Sequence, residues 1–245
     1  MPGTRLDQTA IPIRIATGDL VTLTLFISGP ATSTVSWAMT SGGGVFSPSS
    51  GMVATTSDGK GVITLSYTAP TFPGDLAHIL ALDAEQTNFS FETHIRQLVP
   101  TGEYVPFQDN AGLVVNANLL HGQQIFVNSE TFVMRLGLVA QAGGYTGRLA
   151  LYSNVGGLPG NYIVGTSLAV IVPGPNEQSV IPTLLTQGTY WLLANFSMTA
   201  PIKRSSTVST GQAFAVLPSG EPFPAVVSAT AATNLTLNYY MQVVP

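Results

Sequence analysis

The chain has 245 residues, of which 45% are hydrophobic and only 8% are charged, whereas about a quarter of the residues in a typical globular protein carry charge. Its 8 Lys and Arg and 12 Asp and Glu residues give a formal net charge of −4. The basic residues are scattered, apart from Lys203 and Arg204, which argues against nucleic-acid binding and against electrostatic anchoring to a membrane. The composition predicts a folded, β-rich and weakly charged protein but identifies no specific activity.

Disulfides, cysteine-ligated zinc and thiol nucleophiles are excluded because the sequence contains no cysteine. No apolar run is long enough to cross a bilayer as a helix. Residues 1–4 do not have the apolar region of a signal peptide. We therefore expect no membrane insertion and no signal peptide in this chain.

The first 98 residues contain alternating apolar and polar positions that are typical of strands. Leu20–Ile27 alternates threonine with aliphatic residues, and Val35–Met39 repeats the pattern around a tryptophan. Gly61–Tyr67 is a third such segment, and the Asp58-Gly59 pair before it is typical of a hairpin turn. These segments predict several strands that each have one buried face.

One segment of this block is ambiguous. Asp75–Leu82 has the spacing of a short helix with Asp75 as its N-cap, and it also has the composition of a strand. We favour the strand because the surrounding segments are all predicted to be strands. The strand after it contains Phe89 and Phe91 and should end near Leu98.

Residues 99–110 are predicted to be a linker, because Pro100-Thr101-Gly102-Glu103 interrupts the strand pattern. A second block of short strands separated by Gly and Pro turns then follows. The strands predicted in this block are Gln124–Val127, Phe132–Val139, Gly147–Ser153, Tyr162–Val164, Leu168–Val172, Tyr190–Phe196, Ala213–Leu217 and Leu235–Val244. The predicted fold class is therefore all-β, with one β-sandwich domain in residues 1–98 and another in residues 111–245.

Two segments of the first block resemble bacterial immunoglobulin-like domains of the invasin and intimin group. Ser36–Ser47 contains a strand tryptophan followed by a glycine-rich hairpin with an aromatic residue. Thr56–Pro70 contains a D-G-x-G turn and a strand that ends in T-A-P. The resemblance covers about residues 8 to 98 and implies an immunoglobulin-like sandwich. Domains of this group act as spacers or adhesive modules in surface proteins, and some have a ligand-binding face.

The second block is similar to the jelly-roll sandwich domains of bacterial surface and secreted proteins. Arg148–Gly160 matches their strand and turn of the form L-Y-S…G-x-P-G, and Gly188–Ala194 matches their G-T-Y-W-L strand. The resemblance covers about residues 111 to 245 and implies a jelly-roll-like sandwich. It transfers no ligand-binding residues, because proteins with this fold, carbohydrate-binding modules among them, do not share one ligand.

No catalytic or metal-binding motif is found: the sequence has no H-E-x-x-H, no G-x-S-x-G, no P-loop and no dinucleotide-binding glycine motif. Glu92 and His94 would share a strand face and could form half of a metal site or an acid–base pair, but an exposed polar face explains them better. Asp83 and Glu85 could pair as carboxylates, but no second acidic cluster accompanies them. We expect no enzyme activity, no bound metal and no cofactor.

Aromatic residues remain as candidates for ligand binding. Trp37 and Trp191 lie at strand positions where sandwiches bury an aromatic side chain, so we place both in the core. Tyr145 and Tyr162 flank loop-rich stretches and are better candidates for an exposed platform that stacks on a sugar, although an ordinary tyrosine at a strand end would give the same pattern. The candidate ligand-binding residues are Tyr145, Asn154, Asn161 and Tyr162.

The low charge and the mean hydropathy of +0.33 indicate a protein that buries surface against neighbouring molecules, because sparse charge leaves strand edges unprotected against association. The terminal strands Ala10–Ile15 and Asn234–Val244 could pair with a partner sheet or complete their own. We expect a non-catalytic structural or adhesive protein at a cell surface or in an extracellular structure, forming a homo-oligomer or polymer. The alternatives are a carbohydrate-binding module protein with a glycan ligand, and a phage tail-fibre or capsid decoration protein on a virion exterior.

Overall fold

The computed structural model describes residues 3–7, 10–82, 87–103, 112–205, 211–232 and 236–244. The chain divides into two compact units, Met1–Gln97 and Leu98–Pro245. Every regular element within the described residues is a β-strand, which confirms the predicted all-β class. None of the described segments forms a helix that could span a membrane.

The first unit is a sandwich of two sheets. Its strands, within the described residues, are β1 (Arg5–Leu6), β2 (Ala10–Ala16), β3 (Leu20–Ser28), β4 (Thr34–Ser41), β5 (Val45–Ser47), β6 (Ser50–Ala54), β7 (Lys60–Thr68), β8 (Gly74–Leu82) and β9 (Thr87–Arg96). One sheet has the order β1-β3-β7-β5, and the other has the order β2-β9-β8-β4-β6. The predicted strand at Asp75–Leu82 is confirmed, since it forms most of β8.

The strand order of this unit is immunoglobulin-like. β3 and β7 are neighbours in one sheet, and β9, β8 and β4 follow one another in the other sheet, as strands B and E and strands G, F and C do in immunoglobulin domains. β2 pairs in parallel with β9 along Arg14–Ala16, so this terminal strand completes the unit's own sheet. Trp37 of β4 is 6% exposed and packs in the core between the sheets, as predicted.

Three consecutive glycines close one end of the first unit around a cluster of aromatic rings. His78 is fully buried, stacks on Phe91 with 5.1 Å between ring centroids, and meets Tyr67 edge-on. Gly44 has φ +80°, and a Cβ built on it would lie 2.4 Å from Cε2 of Tyr67 and 2.5 Å from the carbonyl oxygen of Thr68. The hairpin can therefore approach the aromatic cluster only because this position has no side chain.

Gly44→Ala should destabilise the first unit by about 2 kcal/mol more than Gly18→Ala, because the added methyl group must displace the Tyr67 ring. Gly18 is a matched control: its φ of +77° is nearly the same, but a Cβ at this position would have no atom within 4 Å. Gly18→Ala should therefore report only the backbone cost of about 1 kcal/mol. Denaturant unfolding followed by Trp37 fluorescence in a Trp191→Phe background measures both, and equal losses would mean that Tyr67 and the Thr68 carbonyl both move aside freely.

The second unit is also built from two sheets. Its strands, within the described residues, are β10 (Val99–Gly102), β11 (Gly112–Val115), β12 (Leu119–Val127), β13 (Thr131–Ala140), β14 (Tyr145–Val155), β15 (Leu158–Gly165), β16 (Ala169–Ile171), β17 (Gly174–Leu185), β18 (Gly188–Phe196), β19 (Ala200–Ser205), β20 (Gln212–Val216), β21 (Thr230–Ala232), β22 (Thr236–Leu237) and β23 (Tyr239–Val244). One sheet contains β10, β23, β13, β19, β11, β17 and β22. The other has the order β15-β14-β18-β12-β20-β21, with β16 beside β14.

The predicted linker at residues 99–110 is wrong in its first part. Val99–Gly102 forms β10 and pairs antiparallel with Tyr240–Val243 of the last strand. Pro100 indicated an interruption of the strand pattern. A proline is nevertheless tolerated in a strand at the edge of a sheet, and β10 is such a strand. The N–H of Glu103 donates to the carbonyl oxygen of Tyr239, and residues 104–110 of the predicted linker lie outside the described residues.

The second unit has two apolar layers. The larger lies between the two sheets and contains Leu149 and Leu151 of β14, whereas Ala150 and Tyr152 of the same strand belong to a second cluster. Because successive side chains of a strand point to opposite faces, the second cluster lies on the outer face of its sheet. Residues 217–229, here named the covering segment, pack over this face through apolar side chains of the cluster, including Leu217, Phe223 and Val227.

Candidate functional site

Three aromatic residues form a row across neighbouring strands on this outer face. Tyr152 of β14 lies directly opposite Trp191 of β18 on one side and Tyr162 of β15 on the other. Trp191 is 1% exposed and Tyr152 is fully buried, while Tyr162 is 39% exposed. The predicted burial of Trp191 is confirmed, but its ring lies in the outer layer rather than between the sheets. Only the Tyr162 end of this aromatic row reaches solvent.

Hydrogen bonds hold the covering segment over the row. The hydroxyl of Tyr152 donates to the carbonyl oxygen of Pro224 at 3.2 Å. Nδ2 of Asn195, a buried side chain of β18, donates to the carbonyl oxygen of Leu217 at 2.9 Å. The backbone N–H of Tyr162 donates to the carbonyl oxygen of Ala225 at 2.8 Å. The segment has no regular secondary structure along most of its length, yet side chains and backbone fix its position.

Phe223 of the covering segment extends the aromatic row at its exposed end. Its ring stacks on Tyr162 with 6.2 Å between centroids and 25° between planes. The guanidinium carbon of Arg148 lies 4.4 Å from the centroid of the Phe223 ring, a cation–π contact. Arg148 is 9% exposed and also donates to the carbonyl oxygens of Glu221 and of the Asn195 side chain. Phe223 thus rests on a fixed charged group, and Phe223 and Tyr162 together are here named the aromatic shelf.

The four ligand-binding candidates predicted from sequence do not form one site. The expected exposure of Tyr145 is wrong: it is 5% exposed and packs edge-on against Phe196 in the layer between the sheets. Burial raises the pKa of its hydroxyl to about 12. Its neighbouring glycines suggested a surface loop, but the Tyr145 side chain itself points inward.

The other three candidates lie on the β14–β15 hairpin, whose Gly156-Gly157 turn has φ values of +59° and +82°, as a two-residue type I′ turn requires. Oδ1 of Asn154 accepts a hydrogen bond from Nε1 of Trp191 at 2.9 Å, so Asn154 positions the indole. Asn161 is exposed, and its backbone N–H donates to Oγ of Ser153. Tyr162 is the candidate that belongs to the aromatic shelf.

The sequence interpretation did not include the other members of this cluster, Phe223, Arg148 and Glu221. Phe223 lies in the segment Glu221-Pro222-Phe223-Pro224, whose prolines indicate only an irregular chain. Between Glu130 and Glu177 the sequence has only two charged residues, Arg135 and Arg148. The isolation of Arg148 in an apolar segment was therefore a usable signal. A charge isolated in an apolar strand is either paired or functional when it is buried.

The outer face of the first unit has a groove with a volume of about 610 Å³. This volume is within the range of small-molecule sites. Its lining residues are Ser36, Trp37, Ala38, Thr40, Ser41, Ile79, Ala81 and Asn88. The small side chains Ala38 and Ala81, directly opposite each other on β4 and β8, form its floor. Because no lining residue is ionisable, this groove has no acid or base side chain of its own.

The predicted polar face of β9 exists, but its contacts differ from the predicted pair. Nδ1 of His94 lies 2.6 Å from Oδ1 of Asp75 on the neighbouring strand β8, and Arg96 lies 3.7 Å from the same oxygen. The hydrogen bond with His94 lowers the pKa of Asp75. Glu92 is exposed on β9. Asp83 and Glu85 lie outside the described residues, and no three His, Asp or Glu side chains within the described part of the chain are arranged to hold a metal.

Comparison with known proteins adds little to this geometry. No protein-family model matches the sequence, and no curated protein matches it. Among solved structures, the D0-D1 domain of intimin aligns over 94% of this chain and 97% of its own, with 14% sequence identity and a TM-score of 0.27. A TM-score of this size does not establish a common topology. The immunoglobulin-like description of the first unit therefore rests on its own strand order.

Proposed function

We propose that this protein is a non-catalytic structural or adhesive component of an outer surface, of a cell or a virion, that associates with copies of itself. The observation that carries the proposal is an uncharged, apolar strand edge in the second unit. β16 pairs with β14 along Tyr145–Gly147, and its opposite edge has no strand partner within the described residues.

The side chains around this edge favour association. Leu168, Val170 and Val172 alternate along one face and are 51%, 68% and 52% exposed. The sequence has no charged residue between Arg148 and Glu177. Proteins that remain monomeric usually protect a strand edge with charged side chains, proline, a bulge or a very short strand; β16 is short but carries no charge. An edge of this kind can add a strand from a second copy, because the unpaired backbone groups gain hydrogen bonds and the aliphatic side chains gain cover.

Wild-type protein should elute as an oligomer or form filaments, and the double variant Leu168→Lys/Val170→Lys should be monomeric, because two charges on the edge oppose strand addition. Val216→Lys is the control for added charge: Val216 is 79% exposed on the same sheet, but it pairs with Leu119 of β12 and is separated from β16 by β14, β18 and β12. Size-exclusion chromatography with light scattering, followed by negative-stain electron microscopy, measures the effect. A wild-type monomer of 25.6 kDa at high concentration would contradict self-association.

A further inference from the structure

We infer that the aromatic shelf is a binding site for a neutral sugar, with a pyranose ring stacked on Tyr162. The proposed site binds a ligand and does not include the strand edge of β16, so the inference does not depend on self-association. Chromatography tests the edge, whereas titration with sugars tests the shelf.

The geometry of the aromatic row places one stacking surface at its end. The rings of Trp191 and Tyr152 are buried beneath the covering segment, and Tyr162, 39% exposed, is the row's terminal ring. Tyr152 meets Tyr162 edge-on, with 5.7 Å between centroids and 78° between planes. Phe223 stacks on Tyr162 with 25° between planes and so supports the ring from one side, which leaves the other side for a ligand. An aromatic face carries negative partial charge, which attracts the weakly positive C–H groups on one side of a pyranose.

The shelf is held rigid before any ligand arrives. Arg148 lies against Phe223, and the Arg148 guanidinium is itself bonded to Glu221 and Asn195. A Cβ on Gly165 would lie 2.9 Å from the Tyr162 hydroxyl and 3.2 Å from Cδ2 of Phe223, so both rings occupy space that this glycine leaves free. A stacking surface that is already ordered loses little conformational entropy on binding.

The charges around the shelf favour a neutral sugar over an acidic one. Glu221 is exposed two residues before Phe223, and its negative charge acts on Arg148, which lies against the Phe223 ring. A carboxylate at this place can accept hydrogen bonds from sugar hydroxyl groups, and it repels a uronic acid or sialic acid. Arg148 is 9% exposed and is directed into the cluster, so it offers no cation to an acidic ligand.

The test is a titration of the full chain with cellohexaose, laminarihexaose and N-acetylchitohexaose, each to about 10 mM, which exceeds the Kd of a weak millimolar site. Isothermal calorimetry and two-dimensional NMR report binding. At least one sugar should bind, and Tyr162→Ala should lower its affinity about tenfold or more, as expected for an aromatic anchor. Phe126→Ala is the matched control, because Phe126 is a 55% exposed aromatic residue on another strand of the same sheet.

Glu221→Gln is a second test variant, which keeps the inference testable if Tyr162→Ala disturbs the local fold. The substitution keeps the backbone carbonyl that Arg148 binds, so the covering segment should stay in place while affinity falls several-fold. Unchanged thermal unfolding of each variant verifies the fold. Failure of all three sugars to bind would overturn the inference, as would a Tyr162→Ala variant that binds as tightly as the wild type.

Discussion

Replacing Gln123 with methionine is expected to lower the free energy of unfolding of the second unit by about 4 kcal/mol, because two buried backbone groups would lose their partners at about 1–3 kcal/mol each. Gln123 is 2% exposed on β12. Its Nε2 donates to the carbonyl oxygen of Leu237 at 2.9 Å, and its Oε1 accepts from the N–H of Leu237 at 2.6 Å. The Gln123 side-chain amide thus joins the two sheets, because it bonds both backbone groups of Leu237 on β22.

Gln124→Met provides the matched control for this substitution. Gln124 is the next residue of the same strand, is partly exposed, and makes no side-chain hydrogen bond within the described residues. Its replacement should change the stability by less than about 0.5 kcal/mol. Denaturant unfolding in a Trp37→Phe background isolates the second unit, because Trp191 is then the only tryptophan. Equal effects of the two substitutions would show that the bonds to Leu237 contribute nothing net.

Acidification from pH 7 to pH 4 is expected to destabilise the second unit by about 3 kcal/mol through His121 alone. His121 is 8% exposed, and its Nδ1 has no hydrogen-bond partner among the described residues. Burial lowers its pKa from 6.5 to about 4, because the imidazolium form loses its hydration. The unfolded chain therefore binds more protons between pH 4 and 6.5, and stability falls as the pH falls through this window.

His121→Gln should remove this part of the pH dependence, since the amide does not titrate. Unfolding free energies of the wild type and the variant, measured from pH 4 to 8 by Trp191 fluorescence in the Trp37→Phe background, give the difference. The carboxylates contribute to both proteins and cancel in that difference. The difference between the two curves should be constant well above pH 6.5, and between there and pH 4 the wild type should lose about 3 kcal/mol relative to the variant. Parallel curves over the whole range would mean that the imidazole is hydrated in the folded state.

How far the sequence predicted the fold depended on how many faces of a strand are buried. Leu20–Ile27 alternates because one of its faces is exposed, so both its strand and its core residues were predictable. Trp191–Phe196 is buried on both faces, and periodicity cannot assign its side chains to one layer or the other. β17 was missed because it contains Pro175 and Pro182, which an edge strand tolerates.

The candidate site was predictable only in part, because it depends on contacts between distant residues. The exposure of Tyr162 followed from its place beside a glycine turn, but the same reasoning failed for Tyr145, whose side chain packs inward. The contact between Arg148 and Glu221 joins residues 73 positions apart, and no local pattern encodes it. The covering segment has no periodicity, so its place on the aromatic row becomes visible only in the folded chain.

Pairing of β10 with β23 affects how the protein folds during synthesis. The strand that begins the second unit, Val99–Gly102, finds its partner in Tyr240–Val243, the last described strand of the chain. The ribosome must therefore release almost the whole unit before this sheet can be completed, and loop closure over such a separation is slow. The first unit, whose strands lie within Arg5–Arg96, can fold while the second is still being translated. Nascent chains of the second unit thus leave the edge of β10 without its partner until Tyr240–Val243 has been synthesised.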